Sequence, residues 1–231
     1  MISQQQVPAL SRRPALLALL LVTLSMPVGL SVSAQPNIDG LKSLSDAGDK
    51  AATRRLAEAY YLGQGVDQDF KQAAYWYEKL AKQGDRRAQT SLGLMYARGY
   101  GVDKNIATAR KWWSFAAAQN DPGAQFNLGT LYFEGTGVAQ DDAQAVRWYR
   151  EAASRGHIQA QFNLGIMYSE GKGVEKDLRS AYYWLAVASE QGDEDARTEL
   201  RKVAANMSPA QINESDARAK EWMKNARKTW Q

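Results

Sequence analysis

The chain has 231 residues, 45% hydrophobic and 23% charged, the profile of a folded globular protein rather than a disordered or fibrous one. Its formal charge is +4, but Arg12 and Arg13 lie in a leader without acids, so the remainder carries +4 − 2 = +2. That near-neutral balance excludes a phosphate-binding basic stripe. No cysteine and a single histidine exclude disulfides, a thiol nucleophile and a multi-histidine metal site.

Residues 1–34 read as a cleavable export signal. Arg12 and Arg13 begin it, and Ala15 to Leu30 is an apolar run broken by Ser25, Pro27 and Gly29. Val32-Ser33-Ala34 then sets small residues at the −3 and −1 positions before Gln35-Pro36. The run is short, breaks at Pro27 and lacks a charged stop-transfer flank, so a signal is expected rather than a stable membrane anchor. No cysteine follows it to take a lipid, and Ser11-Arg12-Arg13 lacks the continuation of a twin-arginine signal. The expected location is periplasmic or secreted.

Beyond a half-unit at 35–48, four segments align without a gap: 49–84, 85–120, 121–156 and 157–192. Leu56, Leu92, Leu128 and Leu164 coincide, as do Tyr60, Tyr96, Tyr132 and Tyr168, and Trp76, Trp112, Trp148 and Trp184. A Gly-x-Gly-Val turn recurs at Gly63, Gly99, Gly135 and Gly171. Such a period marks a repeat architecture. In the third copy Ala124, Leu128, Leu131 and Tyr132 form one apolar helical stripe, and Ala145, Trp148 and Ala152 form a second. Asp69, Asn105, Asp141 and Asp177 stand as N-caps of the second helices, with Gln72 and Gln144 placed to close capping boxes. Gly84, Gly156 and Gly192, with Asn120 in the second copy, suit a left-handed C′ position. After 192 the pattern decays, and Ser208-Pro209-Ala210-Gln211 opens a last helix to about Lys228, so 193–231 is expected to be a degenerate repeat and C-terminal cap. Its charged face (Arg218, Lys220, Glu221, Lys224, Arg227, Lys228) is the wet exterior that a solenoid end needs.

The phrase Ala124-Gln125-Phe126-Asn127-Leu128-Gly129 with Tyr132, Gly135-Thr136-Gly137-Val138, Asp141, Ala145, Trp148, Ala152-Ala153 and Gly156 resembles the Sel1-like repeat. That repeat is a relative of the tetratricopeptide repeat, whose period is 34 residues. The resemblance covers 49–192 and fades by about 222. The first copy departs from the pattern with Ala57 where the others have Gly93, Gly129 and Gly165. The resemblance implies an all-α fold, a right-handed solenoid of helix–turn–helix repeats, and a role as adaptor, assembly factor or regulator. Some cysteine-rich relatives are associated with β-lactam binding, but their disulfide in each repeat is missing here.

By the same resemblance the first helix of each unit lines a concave surface. That surface would carry Arg54, Glu58 and Tyr61 in the first copy, and Thr90, Leu94 and Ala97 in the second. Phe126, Thr130 and Phe133 follow in the third, then Phe162, Ile166 and Ser169 in the fourth. The stripe is charged at the first copy and apolar at the third and fourth, which suits a partner helix or extended peptide. For Phe126 and Phe162, groove lining and packing between repeats both remain open. The repeated Tyr and Trp positions are expected to knit helices together. The Gly-x-Gly turns lack the strand that a nucleotide loop requires, and Asp67, Asp69, Asp103, Asp141 and Asp142 do not match a calcium loop. His157 sits in a turn slot held by Asp elsewhere, and Glu134 and Glu170 are equivalent rim charges. No catalytic residue, metal or cofactor is expected. The expected partner is an envelope protein or peptide, not nucleic acid, with an envelope scaffold, a regulator of a membrane sensor or a glycan-binding module as the readings to separate.

Overall fold

The local signals act in pairs: a capping side chain, most often an aspartate, opens each repeat helix, and a left-handed glycine or Asn120 closes it. In a computed structural model the described residues are 37–229, with side chains to Ala226. They form eleven helices and no strand. The first is α1 (Ile38–Asp46), followed by the pairs α2 (Lys50–Leu62) with α3 (Phe70–Lys82) and α4 (Arg86–Arg98) with α5 (Ile106–Ala118). Next come α6 (Pro122–Glu134) with α7 (Asp142–Ser154), and α8 (Ile158–Glu170) with α9 (Leu178–Glu190). The chain ends in α10 (Glu194–Ala204) and α11 (Pro209–Thr229). Each helix from α1 to α9 packs on the next, and α11 returns to α9, which makes the described residues an all-α solenoid. The export signal read at 1–34 lies outside the described residues.

In the last three pairs the deeper contact comes one residue after the repeated tryptophan, whereas in the first Trp76 and Tyr77 are equally buried. Tyr77, Trp113, Tyr149 and Leu185 are buried, whereas Trp112, Trp148 and Trp184 are half-buried. Tyr149 lies against Gly129, where an added Cβ would stand 2.7 Å from the Tyr149 ring. The missing side chain therefore lets α6 and α7 approach, and Gly93 meets Trp113 in the same way. The Tyr149 hydroxyl shares a 3.2 Å hydrogen bond with Thr130 and a second with Asn163 of the following repeat. Burial drives its phenol well above the ordinary range, so it stays a neutral donor. Leu56, Leu92, Leu128 and Leu164 fill the same layer, each worth about 1.5–3 kcal/mol of burial.

The turns are clasped more tightly than capping boxes would allow. Asp69 and Asp141 cap through their carboxylates, accepting from the Gln72 and Gln144 amides. Their own amides donate to the Tyr60 and Tyr132 carbonyls at 2.9 Å, so the reciprocal bond expected from the Gln72 and Gln144 side chains has no donor left. Asn105 and Asp177 repeat the clasp to Tyr96 and Tyr168. The second glycine of the last three turns, Gly101, Gly137 and Gly173, abuts the preceding repeat: a Cβ on Gly101 would fall 2.1 Å from the Phe70 carbonyl oxygen. That residue also has φ +69, so its turn tolerates no side chain on either ground.

The ends are sealed by different means. Leu41 of α1 is buried over the first pair, and Ser45 shares a 2.7 Å hydrogen bond with Thr53. At the other end α10 packs on α8 and α9, and α11 lies along α9, burying Ala219 and Met223. Ser208 and Gln211 form a true capping box: the Ser208 amide donates to Gln211 Oε1 at 2.8 Å and the Gln211 amide to Ser208 Oγ at 3.3 Å.

Candidate partner-binding face

The first helices also carry caps of their own: Asp49, Asp85, Asp121, His157 and Asp193. Each cap from Asp85 to His157 receives a side chain from the preceding first helix, always 31 residues back. The Arg54 guanidinium pairs with the Asp85 carboxylate. The Thr90 hydroxyl donates to Asp121 Oδ1 at 2.9 Å, and Phe126 stacks on His157 with centroids 4.4 Å apart. The residues that begin the expected stripe therefore form the seam between repeats. The third seam pairs Phe126 with a His cap, whereas Phe162, at the same register one repeat on, precedes an Asp cap, Asp193.

This seam settles the placement of each expected site residue. Phe126 is 5% exposed and packs with Tyr149, so it belongs to the scaffold and offers no groove surface. Thr130 and Ile166 are buried as well. Leu94 and Phe133 are half-buried against neighbouring core clusters, and Lys172 Nζ stands 4.1 Å from the Phe133 ring centre. Tyr61 is half-buried between Phe70 and Tyr77. Phe162, Thr90 and Arg54 keep partial exposure, and Glu58 is exposed. A first helix has two neighbours, and the second of them takes the apolar part of the stripe that the resemblance implied.

What remains open on the first helices is polarised charge. With Arg54 paired to Asp85, α2 exposes Lys50, Arg55 and Glu58, a sum of 2 − 1 = +1, and α4 exposes Arg86 and Arg87, a sum of +2. Helices α6 and α8 each end in one acid, Glu134 and Glu170, for −2 together. Burial raises the Glu58 carboxyl above its ordinary value, opposed by Arg54, Arg87 and Arg55. Burial would also raise Asp85, but the Ala88 amide and Arg54 more than offset it and hold it below the ordinary value. Burial likewise raises Glu170, helped by Glu199 and opposed by Lys172. His157 is enclosed by Phe126 with one ring edge toward solvent, and burial lowers it to about 4. Its Nδ1 accepts from the Ala160 amide at 3.3 Å, the work Asp does in the other copies.

Among the described residues no group of three or more His, Asp or Glu side chains stands close enough to hold a metal ion. No described helix is long and apolar enough to cross a membrane. Stacked helix pairs of this kind define a helical-repeat solenoid. The chain belongs to the Sel1 repeat family, whose repeat matches residues 50–85, 86–121, 122–157 and 158–193. A Sel1 repeat protein from Oxalobacter formigenes is 34% identical over 72% of this chain and 48% of its own, with a TM-score of 0.66. The protein c5321, a protective antigen present in uropathogenic Escherichia coli strains, is 34% identical over 84% of this chain and 41% of its own, with a TM-score of 0.72. This chain thus spans less than half the length of either relative. The immunity protein Pa5087 from Pseudomonas aeruginosa, 22% identical over 84% of this chain and 77% of its own, shares the fold at a TM-score of 0.50. No curated protein matches the chain. Sel1 repeats generally mediate protein–protein interaction, and proteins built from them are typically non-catalytic.

Proposed function

We propose that this chain is an exported scaffold of the bacterial envelope that holds another protein or peptide along its first-helix face. The observation that carries this reading is the charge polarity of the first helices, +3 exposed over α2 and α4 against −2 over α6 and α8. The scaffold uses Arg54, which pairs with the Asp85 cap, and Arg86, which donates to the Gln119 carbonyl, but gives exposed Arg55 and Arg87 no ion pair among the described residues. A partner with an acidic stretch over the first two copies and a basic or neutral continuation matches this face. Export rests on Arg12-Arg13, the apolar run and Val32-Ser33-Ala34.

Two measurements test the reading. The mature protein recovered from the source cell should begin at Gln35 and appear outside the cytoplasm; an intact N-terminus in the cytosol would remove the envelope from the proposal. An immobilised Arg87→Glu variant, folded like the parent, should lose its envelope partner, and the parent's capture should weaken steeply with salt. Capture unaffected by both would place the partner elsewhere.

A further inference from the structure

The second-helix side carries a feature that the repeat does not require. A shallow cleft of about 520 Å³ opens between α5 and α7. Its wall is Arg110, Lys111, Ser114 and Phe115 of α5, and Tyr132 and Trp148 line it from α6 and α7. One seam further on, the equivalent space is occupied. Arg150 of α7 reaches over Tyr168, its Nη2 donating to the Tyr168 hydroxyl at 2.9 Å with the guanidinium 6.0 Å from the ring centre. Ser114 stands where Arg150 stands, 36 residues earlier, and is too short to cover Tyr132.

Two more departures fall on the same face of the same helix. Arg110 is exposed where the other copies bury Ala74, Val146 and Tyr182. Phe115 is 46% exposed where the third copy has Glu151 and the first has Lys79. Residues 107, 110, 111, 114 and 115 form one helical stripe, about 12 Å long at 1.5 Å per residue. Lys111 Nζ lies 6.0 Å from the Phe115 ring centre, and neither Arg110 nor Lys111 has an ion pair among the described residues. No acid lines the cleft. The fourth copy carries buried Ala186 and Val187 at the Ser114 and Phe115 positions, so it is the second copy's combination of short Ser114, exposed Phe115 and exposed Arg110 that leaves an aromatic floor beside two uncompensated cations.

We infer that this cleft is a second docking site, taking a short protein segment that combines an acidic side chain with an aromatic or large aliphatic one. The acid meets Arg110 and Lys111, and the apolar side chain takes the space over Tyr132 and Trp148 that Arg150 fills at the next seam. Aromatic residues and arginine are the types that carry binding energy in small interfaces. About four residues of extended chain match the 12 Å stripe. The site is independent of the first-helix face, so the protein can hold two segments at once.

The test uses the whole exported chain and a blocked hexapeptide alternating glutamate with leucine. Comparison peptides have lysine in place of glutamate or serine in place of leucine, and a chitin oligosaccharide is titrated in parallel. Binding is read by Trp fluorescence and by amide NMR shifts. The expected result is saturable binding of the acidic-leucine peptide, at least tenfold tighter than either comparison peptide, with shifts centred on Ser114, Tyr132 and the Trp148 indole. The double change Ser114→Arg with Phe115→Glu imports residues already tolerated in α7, and should weaken binding at least tenfold with unchanged circular dichroism. Arg87→Glu, on the first-helix face, should leave this binding within twofold. Equal binding of all peptides, shifts on α2 and α4 instead, preferential binding of the oligosaccharide, or undiminished binding by the double variant would each overturn the inference.

Discussion

Replacing Gly101 by Ala tests the stacking of turns between repeats. The new Cβ would stand 2.1 Å from the Phe70 carbonyl oxygen, 2.2 Å from its carbon and 2.5 Å from the Lys71 nitrogen. All three atoms are backbone at the start of α3, so no rotamer change relieves the overlap. A φ of +69 adds roughly 1 kcal/mol for a residue with a Cβ, and forced overpacking adds about 1–3 kcal/mol. The expected loss is therefore about 2–4 kcal/mol, a large part of the ~5–15 kcal/mol that holds a typical domain folded. Gly84→Ala is the control: its φ is +83, but nothing lies within 4 Å of the added carbon, so only the ~1 kcal/mol backbone cost remains. Gly137→Ala should fall between them, because its Cβ meets the Ile106 side chain, which can shift. Urea unfolding followed by far-ultraviolet circular dichroism gives the ranking from midpoints at constant m. Equal losses in Gly101→Ala and Gly84→Ala would refute close van der Waals contact between successive turns.

Other consequences follow from individual seams. Gln125 Oε1 is buried without a partner, whereas the equivalent Gln89 and Gln161 oxygens accept from Gln119 and Gln191. Arg155 occupies the donor's place and turns instead to Asn120 and Glu151, so Arg155→Gln should stabilise the chain by about 1 kcal/mol in thermal or urea unfolding. For His157 the folded value of about 4 lies below the ordinary 6.5, so the unfolded chain binds more protons between them. Its contribution is complete above pH 6.5 and is lost as pH falls toward 4. At most about 3 kcal/mol is involved, less for the solvent-facing ring edge, and His157→Asn should flatten unfolding free energy across that window. A double-mutant cycle of Phe126→Leu and His157→Asn should show about 0.5–1.5 kcal/mol of coupling in urea unfolding; additive losses would disprove the stack as a seam contact.

Much of this architecture was legible in one sequence because the signals are local. N-cap acids, C′ glycines, the Gly-x-Gly turn and the 36-residue period lie within a few residues of what they shape. The capping boxes at Gln72 and Gln144 failed because the Asp69 and Asp141 amides are spent on tyrosine carbonyls nine residues upstream. The partner stripe was harder. An i, i+4, i+7 pattern identifies a helix face but not which neighbour covers it, and the pairing at 31 residues is non-local. A partial signal existed in the paired change from Arg54 with Asp85 and Thr90 with Asp121 to Phe126 with His157, which Phe162 and Asp193 do not follow. The α5 cleft was legible in the same indirect way, as Arg110, Ser114 and Phe115 depart together from what the other copies carry.

The central claim is that another protein lies along the first-helix face. Site-specific photo-crosslinking in the source cell tests it most directly, with the probe placed at exposed Glu58 or Arg87 and, as a control, at exposed Glu221 on the terminal helix. The account predicts one discrete protein adduct from both first-helix positions, absent from the control and lost when Arg55 and Arg86 are changed to Glu. Adducts from the control alone, or adducts indifferent to that charge reversal, would contradict it.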